Sequence, residues 1–239
     1  MKYSKSIKLY GECGDDIGKV EYVEHMGTDL TVVNSARVSF GKHKEIMDLK
    51  DQKLIKYLIK HKHTSTLEHN NVTFRFKVPL FVRSQHHRHR TWKYNEISRR
   101  YTDFNIEFYE PTQFRTQHKS NRQASNEDEL INPNIYSKEF GYAAPANLII
   151  QRHHEKSLQL FNELIDKGVC REQARGVLPQ NMYTEYYGTA NLNNILKFVN
   201  LRIHDGAQVE IQKVAKAIQQ IAKQLYPITV GAYEKTKSN

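Results

Sequence analysis

Residues 88–101, RHRTWKYNEISRRY, carry four arginines, a lysine and a histidine against one glutamate. Fixed positive charge with so little to neutralise it suits an anionic ligand, because the guanidinium fork matches phosphate and carboxylate oxygens two at a time. Glu96, Ser98 and Arg100 alternate, so an extended backbone would turn all three to one side. Such a trio can clamp a nucleotide. Arginine holds phosphate, serine supplies a small hydroxyl, and glutamate either accepts from a ribose hydroxyl or fixes an arginine. A solvated basic loop is the competing reading of the same charges.

The cluster must be positioned by the elements around it. Pro79 opens a short helix over PLFVRSQHHRHR, which puts the arginines at a helix end, with Gln85 and Arg88 one turn apart and able to reach one ligand. Before it, VTFRFKV alternates Val72, Phe74, Phe76 and Val78 with polar residues and predicts a half-buried strand. LIKYLI places Leu54, Ile55, Leu58 and Ile59 on one face of a helix from about 48 to 61. NIEFYE reads as a further strand. Residues 112–145 are polar and aperiodic and predict a long surface insertion. Beyond it, SLQLFNELIDKG predicts a helix ended by Gly168, and NNILKFVNLR and AQVEIQKVAKAIQQIAKQLYP two more, the last closed by Pro227. Strands and helices mixed without strict alternation favour an α+β, or mixed α/β, fold.

Length and composition bound the rest. A chain of 239 residues with 38% apolar content suffices for one soluble domain, and 36 basic against 26 acidic side chains leave a net charge of +10 that points to anionic partners. No apolar signal-peptide core and no membrane-length apolar run is readable, so a cytoplasmic protein is expected. The two cysteines, Cys13 and Cys170, form no Cys-x-x-Cys pair and read as packing residues. The glycine fingerprints of dinucleotide-binding turns and P-loops are missing, as is the second half of the zinc deaminase signature. Histidines crowd the stretch His61, His63, His69, His86, His87 and His89, but the lysines and arginines beside them would repel a divalent cation, so no metal is expected.

The spacing decides between the readings of the basic stretch. RHR at 88–90, seven residues, then Ser98 resembles the R-H-R-x7-S signature of the flavin-dependent thymidylate synthases. Further blocks follow in family order: HTSTLEH (63–69) before it, Asn95, Glu96, Arg100 and Tyr101 within it, then REQARGVLPQNMYT (171–184) and NLRIHDGAQVEIQ (200–212). The chain departs from the family pattern at Lys93, usually serine, at Arg99, often glycine, at Gly206, and in a longer 112–145 insertion.

The resemblance implies a single catalytic domain over 1–239, with a central, largely antiparallel sheet flanked by helices. It implies conversion of dUMP to dTMP with methylenetetrahydrofolate as carbon donor, FAD as hydride carrier, NADPH as reductant and no cysteine nucleophile. It also implies a homotetramer with shared active sites, in the cytoplasm (the host's for a viral source), with neither nucleic acid nor membrane as partner. Carried onto this sequence, the dUMP contacts fall on Gln85, Arg88, Glu96, Ser98, the backbone of Arg99, Arg100, Arg175 and Arg202. The FAD contacts fall on Ser65, Glu68, Arg88, His89, Arg90 and Glu96, with Asn191, Asn193 and Lys197 from another subunit and His63 as a lid over the flavin. Arg202 is the residue assigned to catalysis, since a permanent charge at the uracil edge favours the ring deprotonated at N3. Competing readings make Asn191 and Asn193 helix caps and pair Arg202 with Asp205. Rival functions are a basic nucleic-acid-binding protein, with Trp92, Tyr94 and Tyr101 stacking on bases, and a flavoprotein without the synthase step.

Overall fold

The computed structural model describes residues 5–11 and 15–236, so Cys13 lies outside the described residues. The main sheet is formed by β1 (Ser6–Lys8), β2 (Lys19–Met26), β3 (Asn71–Pro79), β4 (Lys93–Glu96) and β9 (Tyr183–Asn191). Their spatial order is β1-β2-β3-β9-β4, and every neighbouring pair is antiparallel. Strand β3 is central because its alternation gives it one wholly apolar face. Val72, Phe74, Phe76 and Val78 are fully buried, while on the other face Thr73 bonds to Thr189 and Arg75 pairs with Glu185 across to β9.

Helices cover the apolar face. Thr28 and Asp48 build capping boxes that start α1 (Asp29–Arg37) and α2 (Leu49–Lys60), and α2 buries Ile55 and Leu58 as the LIKYLI pattern predicts. α3 (Leu80–His86) leaves β3 directly, with Pro79 as its N-cap. α6 (Leu192–Arg202) follows β9 without a loop, and α7 (Val209–Leu225) lays Ile211, Val214, Ile218 and Ile221 into the core. Pro227 ends α7 and also opens α8 (Pro227–Lys235). α4 (Ala146–Asp166), which begins well before SLQLF, joins α5 (Arg171–Ala174) around a second cluster of Phe161, Ala174, Leu178 and Met182. Gly168, just past α4, takes φ +86°, the left-handed turn expected of a helix stop.

Two sequence expectations are corrected, and a third segment gains detail. NIEFYE is not a strand: Phe108 forms an isolated bridge to Met182, because Asn105 enters with φ +50° and Pro111 follows without an N–H. Residues 112–145, read as a surface insertion without periodicity, form two hairpins, β5 (Phe114–Gln117) with β6 (Ser125–Ile131) and β7 (Asn134–Ser137) with β8 (Tyr142–Pro145). Their strands bury little on either face, so no apolar alternation betrays them. Cys170 is exposed at the start of α5 rather than packed.

Gly188 shows how closely the sheet approaches its aromatic cover. A Cβ there would stand 2.8 Å from Phe76 Cε2 and 3.4 Å from Trp92 Cε3, both in buried rings with little room to retreat. Gly188→Ala is expected to destabilise the protein by about 1–3 kcal/mol, read as a lower urea midpoint with an unchanged slope.

Candidate active site

The RHR segment leaves the end of α3 on a turn fixed from inside. His86 is fully buried, its Nδ1 is 2.8 Å from the Tyr186 hydroxyl, and its ring meets Trp92 and Phe76 edge-on at 4.6 and 4.8 Å. Burial, reinforced by the nearby His89, His87 and Arg202, holds its pKa well below the ordinary value, so the ring is neutral. This histidine belongs to the core and does not address a ligand. The Tyr94 hydroxyl lies 2.9 Å from the His86 carbonyl and 3.1 Å from that of His89, clamping the turn between them. Arg88 and Arg90 point outward from the clamped turn and are exposed.

Arg202, in the last turn of α6, is brought to the same place. Its Nε donates to His89 Nε2 at 3.1 Å and its Nη2 donates to the Gln85 carbonyl at 3.2 Å. Since His89 accepts through Nε2, its proton sits on Nδ1 and the ring is neutral. Burial, then the Arg202 charge, pushes its pKa down to about 4. Among the described residues no ion pair joins Arg202 to Asp205, so the helix-end pairing with that acid is not formed. Gln85, His89 and Arg202 therefore form one group.

A second group lies along β4 and the turn after it. Glu96 accepts from Arg83 Nε at 3.1 Å and from Thr184 Oγ1 at 2.7 Å, so it fixes an arginine, one of the two roles read for it. The expected alternation through Ser98 and Arg100 fails, because β4 stops at Glu96 and Tyr101 N–H closes a turn onto the Ser98 carbonyl. Ser98 Oγ accepts from the Arg100 N–H at 3.3 Å, while Arg100 itself is exposed. The Arg99 side chain is 7% exposed and donates inward to the Phe104 and Asn105 carbonyls at 2.6 and 3.1 Å, so it is committed to the fold. Arg175 is exposed in the single turn after α5 and shares no hydrogen-bond partner with the first group among the described residues.

The third group lines a cleft of about 840 Å³. Its wall is apolar, with Leu58, Ile59, Leu67 and Ala232, and its rim carries Lys56, Lys60, Lys62, Lys197 and Lys235 together with His63. Asn193, also lining it, donates to Glu68 Oε1 at 2.9 Å. The resemblance assigns Asn193 to a neighbouring subunit's flavin contacts, and within one chain the same residue meets Glu68. Asn191 is the N-cap of α6, accepting from the Asn194 N–H at 2.9 Å, as the helix-cap reading has it. Ser65 is exposed in the turn Thr64–Leu67. Asn193 and Arg202 stand at opposite ends of α6, about 14 Å apart along its axis. An apolar wall with a cationic rim fits the planar ring and the phosphates of a flavin nucleotide.

Arg37, Arg75, Arg83, Arg115, Arg152 and Arg171 pair with carboxylates and the exposed Arg100 stands 3.7 Å from Glu172, whereas among the described residues no ion pair neutralises Arg88, Arg90, Arg122 or Arg175. Sequence reasoning missed Arg83, Gln208 and Glu210. Arg83 gives no local sign of its partner. Glu210 gives one, a charge among the buried residues of α7, which calls for a buried partner.

The sheet and these groups define an α+β protein that sets unpaired guanidinium groups around a clamped turn. Residues 21–228 match the model of the thymidylate synthase complementing protein family, and the chain belongs to that family. Over 219 residues it is 40% identical to the flavin-dependent thymidylate synthase of Thermus thermophilus, covering 92% of this chain and 76% of that one. The flavin-dependent thymidylate synthase of Kosmotoga olearia is 41% identical over 219 residues, 90% of each chain. Among solved structures, the UMP/dUMP methylase PolB of Streptomyces cacaoi, bound with 5-Br UMP, aligns with a TM-score of 0.74 at 30% identity over 90% of this chain and 93% of that one.

The neutral state of His89 has a consequence for pH. An unfolded imidazole protonates near 6.5 and the folded one near 4, so between these values the unfolded chain binds more protons and stability falls as pH drops. His89→Gln keeps an acceptor for Arg202 without titrating. The expected result is a smaller loss of melting temperature from pH 6.5 to 4 than in the parent, with the remaining loss shared by His86, His87 and His25, whose pKa values burial also lowers, and near pH 4 by Asp48, Asp51 and Asp103, held below the ordinary carboxylate range.

Proposed function

We infer that this protein is a flavin-dependent thymidylate synthase, a single catalytic domain over 1–239 that methylates dUMP to dTMP. Methylenetetrahydrofolate is the carbon donor, NADPH the reductant and FAD the bound cofactor. The observation that carries the reading is Arg202, placed beside the RHR turn by acceptors that leave its charge intact. When bound, the flavin supplies the hydride chemistry, and the chain's own groups bind and orient the reactants.

Arg88, Arg100 and Arg175 offer exposed guanidinium groups to the nucleotide phosphate, Ser98 and the Arg99 backbone border the same turn, and Glu96 holds the strand that leads into it. His63, Ser65, Glu68, Asn193 and Lys197 line or flank the cleft at one end of α6 that fits the flavin, with Asn191 capping the helix. His89 and Arg90 flank the other end. Arg202 stabilises negative charge on the uracil as the ring is activated. The same reading takes the protein as a homotetramer in the cytoplasm, and the separation of the three groups within one chain is compatible with active sites completed by neighbouring copies. Among the described residues no helix is long and apolar enough to cross a membrane. The nucleic-acid reading loses its stacking platform, because Trp92 is buried and Tyr94 clamps the turn, leaving Tyr101 exposed without them.

The test is single-turnover oxidation of pre-reduced flavin on adding dUMP and methylenetetrahydrofolate without oxygen. Arg202→Ala is expected to slow this step by about 10²-fold or more at saturating dUMP, with flavin reduction by NADPH retained. Lysine at 202 should restore part of the rate, since it keeps the charge without the fork. Oxidation at the parental rate in Arg202→Ala would remove Arg202 from the chemistry, and a protein that cannot be loaded with FAD would refute the whole assignment. Arg175→Ala should instead raise the dUMP requirement by a factor equivalent to about 1.5–3 kcal/mol, recoverable at high substrate.

A further inference from the structure

Gln208 and Glu210 sit at the start of α7, in the NLRIHDGAQVEIQ block, and the roles assigned so far use neither. Glu210 is 4% exposed. Its Oε1 accepts from Arg115 Nη2 at 2.6 Å, reaching in from β5, and lies 3.4 Å from the Tyr109 hydroxyl. Its Oε2 accepts from Gln208 Nε2 at 2.8 Å. Gln208 Oε1 accepts in turn from Gln85 Nε2, and the Gln85 backbone carbonyl is the one that holds Arg202. A series of side chains thus runs from a buried carboxylate to the residue beside the RHR turn.

The series has a direction that only its buried end can set. A carboxylate paired with a guanidinium offers acceptors alone, so Gln208 must turn its NH2 toward it and its oxygen toward Gln85. Gln85 then commits its own NH2 to Gln208 and keeps its amide oxygen free. Without Glu210 the two amides could flip together, preserving their mutual hydrogen bond, and Gln85 would present a donor instead. We propose that Glu210 is a positioning residue which, through Gln208, fixes Gln85 with its amide oxygen toward the nucleotide, so that Gln85 recognises a hydrogen-bond donor on dUMP. The 112–145 segment contributes through Arg115, which holds the carboxylate in place. This rests on the reading that Gln85 contacts dUMP.

The test is dUMP affinity by calorimetry on the flavin-loaded protein, arranged as a double-mutant cycle. Glu210→Gln and Gln85→Ala should each raise the Kd about tenfold, the size of one misdirected hydrogen bond, and the combined variant should bind no worse than Gln85→Ala alone. Exchanging the pair, as Gln208→Glu with Glu210→Gln, restores an acceptor toward Gln85 and should recover most of the affinity, a rescue that a merely structural role would not show. Should Glu210→Gln fail to fold, Gln208→Met interrupts the series at its middle and must give the same loss. Parental affinity in Glu210→Gln, or a loss fully additive to that of Gln85→Ala, overturns the relay while leaving Gln85 a nucleotide contact. Parental affinity in Gln85→Ala overturns that contact and the relay with it.

Discussion

The turn that carries Arg88, His89 and Arg90 depends on a buried imidazole that never has to be charged. His86 satisfies one nitrogen with the Tyr186 hydroxyl and is otherwise enclosed by Phe76, Trp92, Tyr94 and Phe198. An imidazolium there would lose its hydration without gaining a carboxylate, which is why its pKa is so far depressed. The backbone at His86 is therefore anchored at the core, and Tyr94 reaches back from β4 to tie the carbonyls of His86 and His89 together. Everything the RHR segment presents to a ligand inherits its position from this aromatic box. Phe76 lies stacked on Tyr186 at 4.9 Å, so the box is continuous with the sheet itself.

Rigidity of that kind lets the surface carry unneutralised charge. Exposed guanidinium groups stay hydrated and cost the fold little beyond mutual repulsion, whereas a buried one must be paired or hydrogen-bonded, as Arg115 is by Glu210 and Arg99 by the Phe104 and Asn105 carbonyls. The chain follows this division. Arg75 and Arg115 have carboxylate partners and the buried Arg99 is held by two backbone carbonyls, whereas Arg88, Arg90 and Arg175 have no carboxylate partner among the described residues. An arriving anion thus displaces water and counterions rather than an internal carboxylate, which keeps its full interaction available for binding.

How much of this the sequence discloses follows from how local each signal is. VTFRFKV, LIKYLI and the α7 segment carry their apolar faces in the order of their own residues, and each forms the predicted element. Strand β9, which neighbours both β3 and β4, escapes because the residues it buries include Thr184, Gly188 and Ala190. Gly188 is required by the rings packed against it, so the same contact that needs the strand removes its hydrophobic pattern. The RHR-to-serine spacing is legible because it covers one clamped turn and one short strand, units whose lengths are set locally. Glu68 with Asn193 and Arg115 with Glu210 are joined across 125 and 95 residues of chain, and nothing in either segment encodes its partner.

The hold on Arg202 shows why neutral partners matter at such a site. A carboxylate at its helix end, as Asp205 would provide, would orient the guanidinium but cancel the field it projects. The Gln85 carbonyl and the His89 imidazole orient it through hydrogen bonds and leave the net charge unopposed. Partial burial draws the Arg202 pKa down, but arginine starts so far above neutrality that it remains a cation. That burial also reduces the solvent available to screen it, so the charge acts more strongly on a neighbouring ring than an exposed arginine would. His89 completes the arrangement by being neutral for the same reason: the cation beside it disfavours its protonation, which preserves the acceptor that holds the cation. The two groups therefore fix each other's state, a neutral ring and a positioned charge, before any ligand arrives.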